Sequence, residues 1–541
     1  MADPLAPQEI IRRSDRLRGE RSTTEAHWQE VADYIMPSRE FTQSSAAGSK
    51  RGTLIYHTGP VMAAEQMAGA LHGMLTSPAL RWFALRPDDE GMLDDQDAKV
   101  WFDAATDRMY RQFTSPMARF DLHLHENYLD QSAFGNSVLF MPDRMRAGIG
   151  FKALPLAECF MSENDDDVID VMYRCFKMRS ADIVEKWSKD VPEDMRREAT
   201  DRPDDKWDCI HALMPDPKNK GGYVGQYVLK RNMKALGEPE RYEDKPFVSA
   251  RWSKRSGESM GCGPGMNALP DVKALNKLEE EHLRGVMLAN APPLAMPDDG
   301  FLQNLSQQPR ALNYYRNEMS SFEDRVFPIL TGARPEVAME KIANMEQRIS
   351  TAFYIQWMNL PFKPNMTATE VIQRRDEMLR LMGPMVARLQ TELLGPVIER
   401  TFGVMWRNGM LPPPPTSLSG VKWHVEYTSP LALAQKSSDA SAALSFLEVV
   451  INIAKGDPTA LDKVDMDQFL DFLGNRMGAP AKGLRSDAAV ADLRQARQQR
   501  EKMMQEAMAA DAATKMLQQG GAGVKALAEA GQAGQRPQVA A

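Results

Sequence analysis

The sequence predicts an α+β protein that is mainly helical, and three observations indicate this class. Two long stretches, 271–291 and 336–357, carry apolar residues at spacings of three and four, as on one face of a helix. A third, 367–409, is also helical in pattern and contains the same Gly-Pro dipeptide twice. Short alternating stretches typical of strands are concentrated between about residues 134 and 254.

The N-terminal region is predicted to be a mixed α/β domain over about residues 1–260. Amphipathic patterns predict helices, and alternating patterns predict the strands of an antiparallel sheet. The predicted helices are 9–18, 24–35 and 61–75, and the predicted strands are 137–141, 168–177, 223–231 and 247–252.

The stretches 271–291 and 336–357 predict a pair of antiparallel helices, each about 30 Å long. Asp271 after Pro270 is a suitable N-cap for the first helix, and Pro335 suits the first turn of the second. The segment between them, 292–335, is too long for a bare loop, so we expect a small folded module there.

The third stretch opens with a capping box, in which Thr367 and Glu370 satisfy backbone donors reciprocally. Pro384 and Pro396 each remove one helical hydrogen bond and crowd the preceding turn. The helix is therefore expected to bend twice, and three separate short helices are the alternative.

After this helix, the sequence predicts a strand over 421–427 and helices over 431–455, 465–473 and 486–519. The tail from residue 520 is rich in Gly, Ala and Gln and is predicted to be disordered.

Composition restricts the class of function. Lys and Arg total 66 and Asp and Glu total 74, which gives a formal net charge of −8. Such a chain is not a non-specific coat for nucleic acid, because neutralising phosphates requires a basic surface. The four cysteines are far apart, so we expect reduced thiols rather than a zinc site or a disulfide framework. We also expect a soluble intracellular protein, because no secretory signal and no apolar stretch of membrane-spanning length is visible.

The search for catalytic motifs predicts no catalytic, cofactor-binding or metal-binding residue. His123, His125 and Glu126 come nearest to a metal site, but residues two apart on a helix point in different directions. The segment 164–167 resembles part of a calcium loop and is interpreted as a solvated turn. The glycines of 257–265 are interpreted as a tight turn before the helix at Asp271.

Four stretches of the chain resemble one known family. They are WQEVADYIMP at 28–37 followed by GALHGMLTSPALRW at 69–82, GCGPG at 261–265 with LPDVKALN at 269–276 and APP at 291–293, MTATEV at 366–371, and YTSPLALAQK at 427–436. In this order they are similar to the head-to-tail connecting (portal) proteins of short-tailed tailed bacteriophages.

The resemblance implies a portal-like subunit with an α/β wing, a two-helix stem, a small α/β clip, a long kinked helix and a helical crown. The implied ranges are wing 1–270, stem helix 271–291, clip 292–335, stem helix 336–358, tunnel loop 359–366, kinked helix with the C-terminal part of the wing 367–430, crown 431–519 and disordered tail 520–541.

The resemblance also implies a structural role rather than an enzymatic one. Such subunits form a ring, expected to be dodecameric, at one capsid vertex, through which double-stranded DNA is packaged and ejected. The implied partners are terminase, tail adaptor proteins, and capsid and scaffolding proteins, with no membrane partner. The expected location is the portal vertex of the virion, after assembly in the host cytoplasm. Another virion protein, such as a tail adaptor or scaffold, is the alternative, followed by a metal-dependent hydrolase built on the His123 region.

Lys363 and Asn365 lie in the implied tunnel loop and are the predicted residues of the DNA channel. We expect an acidic lumen that repels phosphate, with Lys363 offering a transient phosphate contact. A merely solvated Lys363 is the alternative.

Overall fold

The computed structural model describes most of the chain. The described residues are 5–43, 46, 48–88, 95–144, 148–297, 306, 308–315, 327–329, 335–358, 381–415, 418, 422–428, 430–455, 463–477 and 490–508. The α+β class, mainly helical, is confirmed: long helices surround one five-stranded sheet and several smaller sheets.

Four helices form much of the N-terminal region. They are α1 (Pro7–Ile35), α2 (Gly59–Leu75), α3 (Gln96–Phe113) and α4 (Phe120–Phe134). The stretches 9–18 and 24–35 are helical as predicted, and α1 is continuous through both of them. The buried Arg21 explains the continuity: its guanidinium donates to the carbonyl oxygens of Leu156, Ala157 and Cys159 and holds the weakly helical middle of α1 in place.

The predicted antiparallel sheet is present, with strand order β4-β5-β6-β7-β8. Alternate side chains enter two separate apolar clusters, one under α1 and the other under the short helices α5 and α6. The bounds are β4 Cys159–Glu163, β5 Ile169–Arg179, α5 Ser180–Lys186, α6 Glu193–Asp201, β6 Lys206–Pro215, β7 Tyr223–Leu229 and β8 Lys234–Tyr242.

Two smaller sheets join distant parts of the chain. Strand β2 (Asn136–Phe140) lies between β3 (Lys152–Ala153) and β9 (Phe247–Arg251). Strand β1 (Phe83–Pro87) pairs antiparallel with β13 (Trp423–Tyr427), which returns after the long helices. The predicted strands match β2, β5, β7, β9 and β13 to within a few residues. Residues of 381–427 are therefore part of the N-terminal core.

The predicted helix pair is present as α7 (Pro264–Asn290) and α8 (Pro335–Ala352). The predicted start of α7 at Asp271 is wrong: the helix begins seven residues earlier, with Pro264 in its first turn and Pro270 inside it. The glycines before and after Pro264 pack directly on backbone atoms of residues 131–135, so tertiary contact determines where α7 starts. The predicted start of α8 at Pro335 is confirmed.

The second helix of the pair is shorter than predicted. It ends at Ala352, and Tyr354 adopts a left-handed backbone conformation before a short helix α9 (Ile355–Met358). Between α7 and α8, three short strands form a sheet of order β11-β10-β12, as expected of a small module. The strands are β10 Leu294–Pro297, β11 Leu312–Tyr315 and β12 Phe327–Pro328.

The long helical stretch is continuous from residue 381 to Arg407 in the described part of the chain. It consists of α10 (381–389), a π-helical turn (Gln390–Leu394) and α11 (Gly395–Arg407). Pro384 lies within α10 without a break. At Gly395-Pro396, where a bend or a break was expected, the helix continues through a π-turn that takes up an extra residue, and Gly395 N–H donates to Gln390 O.

The C-terminal helices are α12 (Pro430–Ala454), α13 (Met466–Met477) and α14 (490–508). The first two match the predicted 431–455 and 465–473 closely, and α14 lies inside the predicted 486–519. The predicted disordered tail lies outside the described residues. No helix of the described part of the chain is both long and apolar enough to cross a membrane.

Candidate channel and assembly site

The helices α7 and α8 are antiparallel and are fixed to the N-terminal region at one end. Asp271 near the start of α7 pairs with Arg348 near the end of α8, at 2.8 Å. The Asn276 carboxamide accepts hydrogen bonds from the backbone N–H of Tyr56 and His57, and donates to the carbonyl of Leu54. One carboxamide therefore fixes the segment that leads into α2 against α7.

His57 connects the same segment to α8. Its Nε2 lies 2.9 Å from Glu346 Oε1, and its Nδ1 accepts from the N–H of Gly59. Because Nδ1 is the acceptor, the proton of the neutral ring is on Nε2 and points at Glu346. Both helices of the pair are thus attached to the residues just before α2.

The other end of the pair extends away from the core. Beyond Asn276, α7 contains no fully buried residue, and Leu283 and Met287 are 40% and 58% exposed. Met339, near the start of α8, is 60% exposed. Ion pairs along α7 join Lys277 and Arg284 to Glu280 and Glu281. A projecting helical hairpin with exposed apolar residues is typical of a surface that other chains cover.

The π-turn of the long helix is held from two sides. Arg251, at the end of β9, binds the Glu392 carboxylate in the turn. Tyr427, at the end of β13, donates its hydroxyl hydrogen to the carbonyl of Gln390. Arg251 is 4% exposed in its side chain, and its remaining donors reach Glu163 and the carbonyls of Asp167 and Ser259.

Helix α11 is fixed by a second buried arginine. The Arg400 guanidinium donates to the carbonyl oxygens of Met141 and Asp244. Burial lowers the pKa of Arg400 to about 10, so the guanidinium stays charged near neutral pH. Arg407, about two turns further on, pairs with the Asp244 carboxylate at 2.6 Å. The long helix is therefore rigidly attached from its π-turn to its C-terminus.

Most of the predicted channel and cap residues lie outside the described residues: Lys363, Asn365, Thr367 and Glu370. Pro384 and Pro396 are described, and they lie before and after the π-turn. Sequence reasoning missed Arg251, Glu392, Arg400 and Asn276. A charged residue at the end of an apolar strand, as in the Phe-Val-Ser-Ala-Arg of β9, was the available signal for Arg251.

The histidines of α4 do not form a common site. His123 Nδ1 lies 3.1 Å from Glu126 Oε2, whereas the His125 ring faces His72 across a centroid distance of 5.8 Å. Burial, and then the nearby His72, lower the pKa of His125. Among the residues that the structure describes, no group of three His, Cys, Asp or Glu side chains is placed to hold a metal ion. The segment Asn164–Asp167 is an exposed turn, as expected, closed by bonds to Asn164 Oδ1.

The described part of α12 has two opposite exposed apolar faces. At about 100° per residue, Leu444 and Ile451 lie on one side of the helix, and Phe446, Val449 and Ile453 lie on the other. All five are between 43% and 58% exposed. Further large apolar side chains are exposed on α13 and α14, among them Leu470, Met503, Met504 and Met508. A single subunit therefore leaves much apolar helical surface uncovered.

A family model described as "Bacteriophage head to tail connecting protein" matches residues 7–484 of the chain. The chain belongs to this family. A "Probable portal protein" of Bordetella phage BPP-1 is 28% identical over 95% of this chain and 96% of its own length. A "Portal protein" of Salmonella phage epsilon15 is 26% identical over 96% of this chain and 95% of its own.

A solved structure described as the "Neck of empty GTA particle" matches 72% of this chain and 86% of its own at 12% identity, with a TM-score of 0.37. Membership of the connecting-protein family makes the chain a structural portal subunit of the virion, at the junction of head and tail. The structural class of function expected from the sequence is thereby confirmed.

Proposed function

We propose that twelve copies of this chain form a closed ring at one capsid vertex, and that double-stranded DNA passes through its centre during packaging and ejection. The observation that carries the ring is the pair of opposite apolar faces on α12. A cyclic assembly buries two different surfaces of each subunit, one against each neighbour. Two exposed stripes on opposite sides of one helix meet that requirement, because no single partner could cover both.

The projecting α7–α8 pair and the module over 292–335 are the proposed stem and clip. The pair is fixed at its base by Asn276 and His57 and is exposed toward the module, which suits a platform for tail adaptor proteins. Terminase is proposed to dock on the same end of the ring while DNA is pumped in. The residues 1–270 and 367–430 are the proposed wing, and 431–519 the proposed crown, facing capsid and scaffolding proteins. Assembly is proposed to occur in the host cytoplasm.

The ring is proposed to conduct DNA without catalysing a reaction, and its charge supports the conduction. A net charge of −8 on each subunit gives a ring a negative field that repels phosphate and keeps DNA from adhering. Lys363 and Asn365 in the proposed tunnel loop, 359–366, are the proposed points of transient DNA contact.

Mass measurement and imaging test the proposal. The purified chain is expected to assemble into particles near twelve times 60.6 kDa, with a central hole in negative-stain images. A protein that stays monomeric at all concentrations and salt levels would contradict the ring. Rings that never occupy a capsid vertex would favour a tail adaptor instead.

A further inference from the structure

A groove lies between the first half of α1 and the hairpin of β4 and β5. It encloses about 580 Å³ and is lined on one side by Arg12, Arg13 and Arg16. Its floor includes Leu17 and Tyr173, which are 8% and 1% exposed. The groove therefore has basic side chains along its edge and largely apolar side chains at its base.

The arginines of this groove outnumber the carboxylates near them. Glu9 is the one acidic residue of the lining, and it is shared by Arg12 at 2.8 Å and Arg13 at 2.7 Å. Arg16 makes a longer contact, 3.4 Å, with Glu20. The side chains of Arg12 and Arg16 are 76% and 68% exposed, so their guanidinium groups can still bind a further carboxylate. The buried Tyr173 hydroxyl lies near Arg13 but has no hydrogen bond of normal geometry.

An acidic surface lies on the opposite face of the same sheet. It consists of α6 and the residues after it, 193–205, which contain six acidic and three basic residues, a net charge of 3 − 6 = −3. Asp194 and Asp201 are exposed and make no ion pair among the described residues. They are seven residues apart, so they lie on the same side of α6, about 10 Å from each other.

We propose that the arginine groove of one subunit receives Asp194 and Asp201 from α6 of the next subunit in the ring. The groove and α6 cannot meet within one chain, because α1 packs on one face of the sheet and α6 on the other. The two surfaces do, however, lie on opposite faces of one sheet, as a head-to-tail ring requires, because each subunit contacts its two neighbours through two different surfaces. The acidic helix and the basic edge of the groove are also complementary in charge.

This inference rests on the proposed ring, and charge reversal tests it separately. One variant carries Arg12→Glu and Arg16→Glu, the second carries Asp194→Arg and Asp201→Arg, and the third carries all four changes. A control, Lys218→Glu with Lys220→Glu, makes the same change of charge as the arginine variant, on the exposed turn between β6 and β7. Mass photometry of the full chain over a dilution series gives the subunit concentration at half assembly, and circular dichroism follows the folding of each subunit.

Each two-residue reversal is expected to raise the concentration at half assembly on the order of tenfold, because every subunit loses the contact with both neighbours. The four-residue variant should assemble near the wild-type concentration, and the control should match the wild type. The restored assembly also excludes misfolding as the cause. The proposed contact would be overturned if both two-residue variants assembled at the wild-type concentration. It would also be overturned if the four-residue variant required as high a concentration for half assembly as the two-residue variants. Either result would leave the proposed ring itself intact. A wild-type chain that forms no ring would instead overturn the proposed function.

Discussion

Arg251 and Glu392 join the sheet of β9 to the π-turn of the long helix through three hydrogen bonds. The backbone N–H of Arg251 donates to Glu392 Oε2 at 2.8 Å, and its Nε and Nη2 reach the same carboxylate at 3.3 and 3.0 Å. Glu163 lies 3.0 Å from the remaining nitrogen of the guanidinium. Because this group of charges is largely buried, removing Arg251 weakens the compensation of both carboxylates, which then keep only Arg388 and Lys254 as partners.

Replacing Arg251 by Met is expected to lower the free energy of unfolding by about 3 kcal/mol, because Glu392 and Glu163 would keep only Arg388 and Lys254 as cationic partners, and the carbonyls of Asp167 and Ser259 would lose a donor. Urea unfolding followed by tryptophan fluorescence measures the change. Arg284→Met removes an arginine that also bridges two glutamates but is 59% exposed, and it should cost less than about 1 kcal/mol. Equal losses for the two variants would show that burial does not govern the Arg251 contact.

Close backbone packing predicts a second, local effect. A Cβ atom on Gly263 would lie 2.4 Å from the backbone nitrogen of Gly135, a contact that a flexible side chain cannot relieve. Gly263→Ala is therefore expected to destabilise the fold by about 3 kcal/mol or more and to disturb the start of α7. Gly69→Ala is the control, because nothing lies within 4 Å of its added Cβ in the interior of α2. The control should be neutral or stabilising by up to about 1 kcal/mol in thermal unfolding.

These two sites show what the sequence could predict and what it could not. Helical periodicity located the start of α8 and both ends of α12 to within one residue, because such patterns are local. The start of α7 was wrong because Pro270 read as a boundary, whereas packing of Gly263 on Gly135 places the first turn at Pro264. The Arg251–Glu392 contact joins residues 141 apart, and nothing in either local pattern indicates its partner.

The outcome at the two Gly-Pro dipeptides could be predicted from the sequence only in part. Gly395-Pro396 predicted a bend or a break, and the structure has a π-turn there within a continuous helix. The same dipeptide at Gly383-Pro384 predicted a second, but α10 continues through it. In the described part of the chain, Arg251 and Tyr427 bind Glu392 and Gln390 just before the second dipeptide, so its outcome depended on tertiary partners from β9 and β13.

The buried His211 is expected to make the free energy of unfolding depend on pH. Its ring is 2% exposed, stacks on Tyr227 at 4.0 Å, and its Nε2 has no hydrogen-bond partner. Burial lowers the pKa of His211 to about 3 in the folded chain. The unfolded chain therefore binds a proton that the folded chain does not, and stability is lost as the pH falls from about 6.5 towards 3.

At pH 5 the loss relative to pH 8 is expected to be about 2 kcal/mol. His211→Phe should remove this part of the pH dependence, whatever its effect at pH 8. Urea unfolding at several pH values measures the slope. His424→Phe, at a side chain that is half exposed, is the control. A His211→Phe slope equal to that of the wild type would contradict the assignment.

The two faces of α12 predict an assembly defect with a specific rescue. Phe446→Asp places a charge on one apolar face of α12, and Ile451→Asp places a charge on the other. Each variant alone is expected to remain monomeric, because a ring contact requires one face of one subunit and the other face of its neighbour, and each variant lacks one of the two. An equal mixture should form dimers and stop there, since one intact face of each variant can pair. Ser445→Asp, at an exposed position between the faces, should still form rings. Native mass spectrometry distinguishes these states, and rings from either single-face variant would contradict a head-to-tail arrangement.

Lys363 predicts a defect in DNA transport rather than in assembly. If its ammonium group contacts phosphates transiently, Lys363→Glu should lower the amount of DNA packaged per capsid several-fold by repelling the duplex at the proposed tunnel loop. Lys363→Arg keeps the charge and should package normally. Lys220→Glu makes the same charge change on the exposed β6–β7 turn and serves as the control for net charge. Ring mass is measured on each variant first, so that a loss of packaging is compared among intact rings. Normal packaging by Lys363→Glu would mean that this lysine is only solvated, and that the lumen conducts DNA by repulsion alone.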